Sequence, residues 1–363
     1  MRKFQALSLS AALLASLLLG GCANNAASSD AASSDSAASE PEATPEPTPA
    51  PPAANPLTGA ADADYTGKRP VAVTLRNMTG STPQWGIASA DVLVEGVTEG
   101  TTASLMALYA NPDSIAKAGP VGPARDLLLQ VALPLNAVPV HIDKNIYASN
   151  LLNTLAYQDL DGYHIGKTAF AFDQDRQNAG YAEENCWYTT AELINSGLAS
   201  YGVSLNGDNT PLFQFGERPA VDPADRSGMN LTITFSPDDI DCLNYDTGTG
   251  LYALSNGDGS PVQDADNGQQ VGFTNVFVFY ASSGIKDDGY TRQYDMTAGT
   301  GLYLHGGAWE RINWTKEDAT GPFAITNEAG ETLVVSQGKS FIAIWGGYYG
   351  QSISLTAADG SAQ

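Results

Sequence analysis

The sequence predicts an α/β domain with a mixed sheet, followed by a smaller domain rich in antiparallel strands, so the fold class is α/β or α+β. In the first half, apolar runs of period two alternate with amphipathic segments of helical spacing. After Pro219, short apolar runs are separated by Gly, Asn, Asp and Ser, and no helical pattern follows. We therefore predict an N-terminal α/β domain over 55–215, a C-terminal β-rich domain over 216–350 and a tail over 351–363.

The strands of the first domain begin at residues 71–75, where apolar and more polar side chains alternate and predict a half-buried strand. Residues 91–97 and 102–110 predict two further strands. The second of these is apolar on both faces, so we expect it to be central in its sheet. A fourth strand is predicted over 137–142.

Helices of the first domain are predicted where apolar residues have helical spacing, over 124–136, 145–157 and 190–201. Pro134 should end or kink the first helix, because proline has no N–H for the helical hydrogen bond. The 26 residues between a strand that ends near Ala110 and a strand that starts near Ala137 are long enough for a right-handed crossover. We therefore expect some parallel pairing.

The second domain is predicted to consist of short strands joined by tight turns. Its apolar runs lie at 231–235, 276–280, 301–304, 323–326, 333–335 and 341–345. Turn signals such as Asn256-Gly257 and Asp288-Gly289 recur between these runs. This spacing favours a small antiparallel sheet.

The amino terminus has the features of a bacterial lipoprotein signal. Arg2 and Lys3 precede an apolar run over 6–19, whose 14 residues are too few to cross a bilayer as a helix but match a secretory signal core. Small residues then precede Cys22, which resembles a lipobox. We predict a signal peptide over 1–21, a lipid on Cys22 as a membrane anchor, and a protein at the bacterial cell membrane that faces outside the cytoplasm.

The stretch over 22–54 is predicted to be a disordered tether. After Cys22 it contains only Ala, Ser, Pro, Thr, Asn, Asp and Glu. None of these side chains buries enough apolar surface to offset the entropy lost on ordering. The tether would therefore hold a folded body away from the membrane.

The charge of the chain excludes several classes of protein. With 17 basic and 40 acidic side chains, the net charge is −23. Direct electrostatic binding of nucleic acid needs clustered Lys and Arg, so we exclude it. The predicted body over 55–363 keeps 15 basic and 35 acidic side chains, a charge of −20. Such a body is repelled by anionic lipids, so the lipid on Cys22 is the expected link to the membrane.

Several short motifs are shared with a known family. They are Asn55-Pro56-Leu57-Thr58-Gly59, Arg69-Pro70-Val71-Ala72-Val73, Pro83-Gln84-Trp85-Gly86-Ile87, Gly119-Pro120-Val121-Gly122-Pro123-Ala124-Arg125, Tyr245-Asp246, Gly250-Leu251-Tyr252, Gly307-Ala308-Trp309 and Gly338-Lys339. The chain resembles the YerB-like bacterial lipoproteins over nearly all of residues 55–346. The resemblance implies an extracytoplasmic lipoprotein with an α/β domain followed by a β-rich one, both domains being of unknown function.

Two motifs depart from the pattern of that family. Gly122 and Pro123 stand where the family usually has Arg and Ser, so that only Arg125 remains of a basic pair. After His141, the family tends to have one residue and then two glycines, whereas this chain has Ile142, Asp143 and Lys144. A family site at these positions would be altered or lost.

A candidate ligand cleft is predicted around Arg125, His141, Asp143 and Trp85. In a βαβ unit, ligands favour the edge where the strands end and the helix begins. Arg125 with the free N–H groups of the helix would suit an anion. His141 and Asp143 would act as a base with an orienting carboxylate. The alternative is that Arg125 and Asp126 form local ion pairs and that His141 has a structural role. Trp85, Trp187 and Tyr188 are expected to be exposed.

Metal and thiol chemistry have little support in the sequence. Asp159, Asp161 and His164 lie close together but do not match a calcium loop, so we interpret them as solvated acids of a turn. No metal site and no cofactor are predicted. Pairing of Cys186 with Cys242 stays open.

These observations favour a non-catalytic binding or scaffolding lipoprotein of the cell envelope, with a wall fragment or an envelope protein as partner. One alternative is an envelope hydrolase or transferase that uses His141 and Asp143, with Arg125 as the anion clamp. The other is a module that binds protein partners only.

Overall fold

The computed structural model describes residues 53–218 and 221–363. The predicted signal peptide, Cys22 and almost the whole tether over 22–54 lie outside these residues. Within the described ranges, no helix has the length and apolar character needed to cross a bilayer.

The strands are numbered in chain order. The first eight are β1 (Val71–Leu75), β2 (Val92–Glu99), β3 (Thr102–Tyr109), β4 (Val138–His141), β5 (Leu160–Asp161), β6 (Ala171–Phe172), β7 (Trp187–Tyr188) and β8 (Gln214–Phe215). The next six are β9 (Asn230–Ser236), β10 (Asp239–Asp246), β11 (Leu251–Asn256), β12 (Gly272–Phe273), β13 (Asn275–Tyr280) and β14 (Ser283–Ile285). The last seven are β15 (Arg292–Tyr294), β16 (Ala298–His305), β17 (Ala308–Thr315), β18 (Ala324–Asn327), β19 (Val334–Val335), β20 (Ser340–Trp345) and β21 (Ser352–Thr356).

The α-helices all lie in the first half of the described chain. They are α1 (Asp126–Ala132), α2 (Ile146–Thr154), α3 (Gly162–Ile165), α4 (Gln174–Asn178) and α5 (Ala191–Tyr201). Short 3-10 turns occur at Pro112–Ser114, Leu133–Leu135, Gly166–Thr168 and Glu183–Asn185. The predicted end of the first helix at Pro134 is confirmed, because the α-helical turns change to a 3-10 turn at Leu133.

A mixed sheet of ten strands forms the centre of the protein, in the order β18-β17-β16-β13-β20-β2-β3-β1-β4-β5. A second sheet of five antiparallel strands has the order β12-β11-β10-β9-β21. The predicted mixed sheet with helices, followed by an antiparallel β-rich part, is confirmed. Residues 352–356, within the predicted tail, form β21 at the edge of the five-stranded sheet.

Strand β20 joins the two predicted domains. It lies between β13 and β2 and runs parallel to both. The ten-stranded sheet therefore contains strands from 55–215 and from 216–350. Pairing of β8 with β19 is a second connection between the two ranges.

The apolar core covers both faces of the large sheet. On one face, alternate residues of the sheet pack against the five-stranded sheet; they include Leu93, Leu105, Val276 and Phe341, which meet Leu231, Ile233 and Leu243. The other face packs against α1; it includes Val94, Met106, Phe277 and Ile342, which meet Leu127 and Leu128. Because both faces are covered, β1 is fully buried, and the predicted half-buried strand is wrong in this respect.

The expected crossover between the third and fourth strands is also wrong. Strand β1 pairs in antiparallel fashion with β3 and in parallel fashion with β4. Strands β3 and β4 therefore run in opposite directions with β1 between them. Strand β4 is parallel to β1, so the sheet edge that carries His141 is the edge at which β3 begins.

Candidate functional site

A cavity of about 550 Å³ lies between the two sheets. Its wall contains apolar residues from both sheets, among them Leu93, Leu105 and Leu254. It also contains three carboxyl groups of Glu95, Asp239 and Asp241, which we call the acidic cluster. The volume falls in the usual range for small-molecule sites.

Glu95 enters the cavity from strand β2 because of the strand's two-residue period. It shares a face with Leu93 and Val97, which both pack toward the five-stranded sheet. Glu95 is only 3 % exposed. The amide Nδ2 of Asn77 donates a hydrogen bond to its Oε1 at 2.6 Å. Gln84 in turn donates to Asn77 Oδ1 at 2.8 Å, so a chain of amides orients the carboxyl.

Asp239 and Asp241 enter from the facing strand, β10. Asp241 is buried on the face of β10 that also carries Leu243, a core residue. Its Oδ2 is buried and has no hydrogen-bond donor among the described residues. The carboxyl of Glu95 lies close enough to those of Asp241 and Asp239 for the three to influence one another's ionisation. A hydrogen bond between any two of them would need a proton on one of the pair.

The acidic cluster therefore holds protons at a pH where exposed carboxyls do not. Burial, followed by the charges of Asp241 and Asp239, raises the pKa of Glu95 well above its usual range. Burial likewise raises the pKa of Asp241 to about 7 and that of Asp239 to about 6. Protonated and ionised carboxyls are thus present together in a concave site, the arrangement expected where protons are exchanged or a cation is bound.

This site is not among those predicted from the sequence. One signal was available, because Glu95 interrupts an otherwise apolar strand, and a charge in a strand that is buried on both faces needs a reason. The partners Asp239 and Asp241 follow Pro237 in an acidic stretch that is typical of a solvated turn. Only the packing of the two sheets brings the three carboxyls together.

His141 belongs to a different cluster, formed with Lys144, Asp159 and Asp161, which we call the His141 cluster. His141 Nε2 lies 3.0 Å from Asp159 Oδ2, and Nδ1 lies 2.9 Å from the carbonyl oxygen of Asp143. Lys144 Nζ donates to one oxygen of each aspartate at 2.8 Å. The interpretation of Asp159 and Asp161 as solvated acids is wrong, since Asp161 is only 4 % exposed.

The polar groups of the His141 cluster are paired with one another. Burial raises the pKa of Asp159, but hydrogen bonds from His141 and Lys144 outweigh it and lower this pKa to about 2. Both ring nitrogens of His141 face protein oxygens, Asp159 Oδ2 and the carbonyl oxygen of Asp143. His141 and Lys144 thus face the carboxylates of Asp159 and Asp161.

This pairing removes the expected chemistry of His141. His141 is fully buried, and both of its ring nitrogens are already engaged by oxygens of the protein. Ligand atoms of His141, Asp159 and Asp161 lie close enough together for a metal ion. The ammonium of Lys144 already supplies positive charge to both carboxylates. The geometry therefore favours a structural role for the cluster.

The prediction that the carboxylate of Asp143 orients His141 is wrong. The backbone of Asp143 has φ 72°, in the left-handed region, and its Oδ1 accepts a hydrogen bond from the N–H of Lys144. The carboxylates that face His141 are those of Asp159 and Asp161. At the two positions that depart from the family pattern, Asp143 therefore supplies a backbone carbonyl and Lys144 a counter-charge.

Arg125 lies just before α1 and is occupied by an ion pair. Its Nη2 donates to Glu99 Oε2 at 2.9 Å, and Nε lies 2.7 Å from Oε1 of the same carboxylate. Asp126, the other expected partner, pairs with Lys286 instead. The Ala124 N–H donates to the Asp143 carbonyl oxygen at 2.9 Å, so the two predicted segments do meet through their backbones.

We expect the Arg125→Ala variant to unfold with a free energy lower by about 1–2 kcal/mol, because Glu99 loses its half-buried partner. Urea unfolding at pH 7 measures this. Ligand binding should be unchanged. A ligand-induced shift that disappears in Arg125→Ala but persists in Glu95→Gln would instead place the binding site at Arg125.

Trp85 is 7 % exposed, so the expectation that it is available for stacking is wrong. The ammonium of Lys117 and the guanidinium of Arg176 lie 3.8 Å and 4.2 Å from ring centroids of Trp85. Tyr188 packs against it edge to face. These neighbours cover the ring, whose role is packing. Trp187 and Tyr188 are half-buried.

Cys186 and Cys242 are both free thiols. Cys186 is buried and contacts the carbonyl oxygen of Ala182. Cys242 lies in β10 near the hydroxyl of Thr232. The two cysteines, whose pairing the sequence left open, are therefore not paired with each other in this structure.

Two comparisons relate this chain to known proteins. It is 27 % identical over 274 residues to the protein named "Putative lipoprotein YerB" from Bacillus subtilis (strain 168), which covers 71 % of this chain and 78 % of that protein. The crystal structure of YerB protein from Bacillus subtilis superimposes with a TM-score of 0.72 at 24 % identity, over 83 % of this chain and 99 % of the other. The second comparison concerns the fold alone.

Two family models also match the chain. The N-terminal domain of the protein of unknown function DUF3048 matches residues 57–204, and the C-terminal domain matches residues 231–342. Together they span more than half of the sequence, in the order that the motifs predicted. This chain therefore belongs to the DUF3048 family of proteins of unknown function.

Proposed function

We propose that this protein is a membrane-anchored lipoprotein of the cell envelope that faces outside the cytoplasm and binds a small molecule in the cavity between its two sheets. The anchor is proposed from Cys22 and the apolar run before it, and a relative named as a lipoprotein supports it. The binding role rests on one observation. The cavity of about 550 Å³ contains a buried carboxyl oxygen, Asp241 Oδ2, without a donor.

An unpartnered polar atom in a cavity destabilises the folded protein unless a group of a ligand forms a hydrogen bond with it. Burying a polar group without a hydrogen bond costs about 1–3 kcal/mol on scales derived from protein mutations. A donor group of a ligand would recover that cost. The apolar residues of the same wall would cover the rest of the molecule, which is the usual division of roles in ligand sites.

The anchor makes a direct prediction for fractionated cells. The Cys22→Ser variant should move from the membrane fraction to the soluble fraction, because a side chain without a thiol cannot receive the lipid. Immunoblotting of the two fractions measures this. Cys242→Ser is the matched control and should stay in the membrane fraction. Retention of Cys22→Ser in the membrane to the same extent would contradict the proposed anchor.

Binding is tested by thermal unfolding of the full-length protein in mild detergent. The panel contains wall fragments, sugars, nucleotides, divalent metals and the five-carbon series of 1,5-diaminopentane, 1,5-pentanediol and glutarate. A ligand at 100 times its Kd adds about 2.7 kcal/mol, a shift of a few degrees for a protein of this size. We expect Glu95→Gln to abolish that shift.

Asp238→Asn is the control for this experiment, because Asp238 is exposed at the rim of the same cavity. It should keep the shift. If no compound shifts the unfolding temperature, the cavity is not a small-molecule site within the panel. The module that binds only protein partners is then the better interpretation.

The acidic cluster also favours a second candidate function, hydrolysis. A carboxyl that stays protonated near neutral pH, beside a second carboxyl, is the pair that general acid–base hydrolysis requires. In this case Glu95 would act in place of the predicted His141 and Asp143. Time-dependent release of product from a wall fragment, lost in Glu95→Gln, would support it; stable binding without product would exclude it for that fragment.

A further inference from the structure

The wall of the cavity carries negative charge only. Five of its residues have a carboxyl group: Glu95, Asp238, Asp239, Asp241 and Asp258. None of its described residues is Lys, Arg or His. A concave surface lined by one sign of charge concentrates ligands of the opposite sign.

The acidic cluster lacks the counter-charge that the His141 cluster has. Asp159 and Asp161 are neutralised by Lys144 and His141. Glu95, in contrast, receives a hydrogen bond from the neutral amide of Asn77, and Asp241 Oδ2 receives none within the described chain. The side chains that face Glu95 across the cavity are the carboxyls of Asp239 and Asp241, so no cationic side chain of the described wall neutralises it.

The geometry favours an organic cation over a metal ion. Ca²⁺ and Mg²⁺ need six or more oxygens at about 2.0–2.6 Å. Among the described residues, the only three ligating groups whose atoms all lie within 4.8 Å of one another are those of His141, Asp159 and Asp161. The three carboxyls of the acidic cluster are more widely spaced. An ammonium group can donate to spaced carboxylates, since each of its three N–H bonds points in a different direction.

The remaining wall suits an alkyl chain. Ile87, Leu93, Leu105, Leu254 and Val262 line it, and none of the described residues of the wall is aromatic. Without an aromatic ring, the wall has no stacking platform for a sugar or a nucleobase. The methylene groups of an aliphatic amine would lie against these residues.

We infer that the cavity binds a small aliphatic amine in its protonated form, with the ammonium group between Glu95 and Asp241. The inference deepens the proposed function and rests on it. On binding, the ammonium replaces the protons that the carboxyls share, so the complex forms with release of protons to solvent. The amine remains protonated throughout, and no covalent bond changes.

The test is isothermal titration calorimetry on the full-length protein in mild detergent at 0.15 M salt. The ligands are 1,5-diaminopentane, 1,5-pentanediol and glutarate, which share one five-carbon chain and differ in charge. We expect only the diamine to bind. Titration at pH 6.5 in two buffers of different ionisation enthalpy should show proton release, and the release should be smaller at pH 8, where the cluster has already lost protons.

Three variants locate the site. Binding of the diamine should weaken at least tenfold in Glu95→Gln and in Asp241→Asn, and should change less than twofold in Asp175→Asn, whose carboxyl is exposed on α4 outside the cavity. Equal binding to all three variants would mean that the acidic surface attracts the diamine without a site, and would overturn the inference.

The outcomes separate this inference from the proposed function. In one outcome, a neutral or anionic compound of the panel binds and its binding needs Glu95, but the diamine does not bind at 10 mM (a ceiling of roughly 3 kcal/mol of binding free energy). The amine is then the wrong ligand class, and the proposed binding role stands. If nothing binds, both proposals fail. If the diamine binds without proton release, the inference that its ammonium group replaces protons held by the carboxyls is wrong.

Discussion

We expect the Asp241→Asn variant to be more stable than the wild-type protein by about 2–4 kcal/mol at pH 8, and to be nearly equal to it at pH 4. Few substitutions of a buried charged residue stabilise a protein. This one should, because Asp241 must ionise at pH 8 in a site that holds no cation from the described chain. The amide that replaces the carboxyl can donate a hydrogen bond to Glu95.

The sign follows from the direction of the pKa shift. Burial raises the pKa of Asp241 to about 7, above the value of about 4 for an unfolded aspartate. Between these two values the folded protein holds more protons than the unfolded chain, so stability is greatest near pH 4 and falls as the pH rises toward 7. Glu95 and Asp239 shift in the same direction and add to the effect.

Guanidinium unfolding at pH 4, 6 and 8 measures the difference. Asp238→Asn is the matched control, because it removes a neighbouring exposed carboxyl and should leave the pH dependence unchanged. A wild-type protein whose stability does not fall between pH 4 and pH 8, relative to Asp241→Asn, would show that the acidic cluster ionises freely. The cavity would then lack its shared protons.

The second large effect is expected in the His141 cluster. Asp159→Asn should lower the free energy of unfolding by about 3 kcal/mol at pH 7, because His141 and Lys144 then share a single carboxylate. His141 is fully buried and cannot reach water for solvation. The neutral amide can keep the shape of the site but not its charge balance.

The stability that the His141 cluster contributes depends on pH in the opposite direction. The pKa of Asp159 is lowered to about 2, against about 4 in the unfolded chain. Its stabilisation is therefore fully present above about pH 4 and is lost as the pH falls toward 2. The difference between Asp159→Asn and wild type should shrink as the pH falls below 4.

Urea unfolding over that range tests the second prediction. Asp175→Asn is the matched control, since Asp175 is exposed on α4 and lies outside the cluster. Loss of less than about 0.5 kcal/mol in Asp159→Asn, the usual size of a surface effect, would show that the cluster is solvated. His141 would then be free to act as a base, as first predicted.

Much of the secondary structure could be predicted from local patterns. The strand over 102–110 was expected to be central, and β3 is paired on both sides and buried. Helices α2 and α5 lie within the predicted ranges, and each begins after a capping side chain, Asn145 or Thr190. These features depend on residues that are close together in the chain, so they can be predicted directly from the sequence.

The candidate site could not be predicted in the same way. His141 was chosen as a base, and its chemistry is removed by Asp159, which the sequence analysis had assigned to a solvated turn. Arg125 was chosen as an anion clamp, and Glu99 already occupies it. In each case a partner from a different element decides whether the side chain is available, and spacing along the chain does not contain that information.

The sequence by itself determined the positions of the main strands and helices, because each depends on the period of a short segment. The anchor at Cys22 stays a prediction from a segment outside the described residues. The tertiary structure decided which strands pair and what each buried charge meets. Strand β20 inserts beside β2, and β10 packs across β2, so that Asp239 and Asp241 reach Glu95. Such contacts depend on the packing of apolar faces from distant parts of the chain, and this packing brings together polar groups that are far apart in sequence.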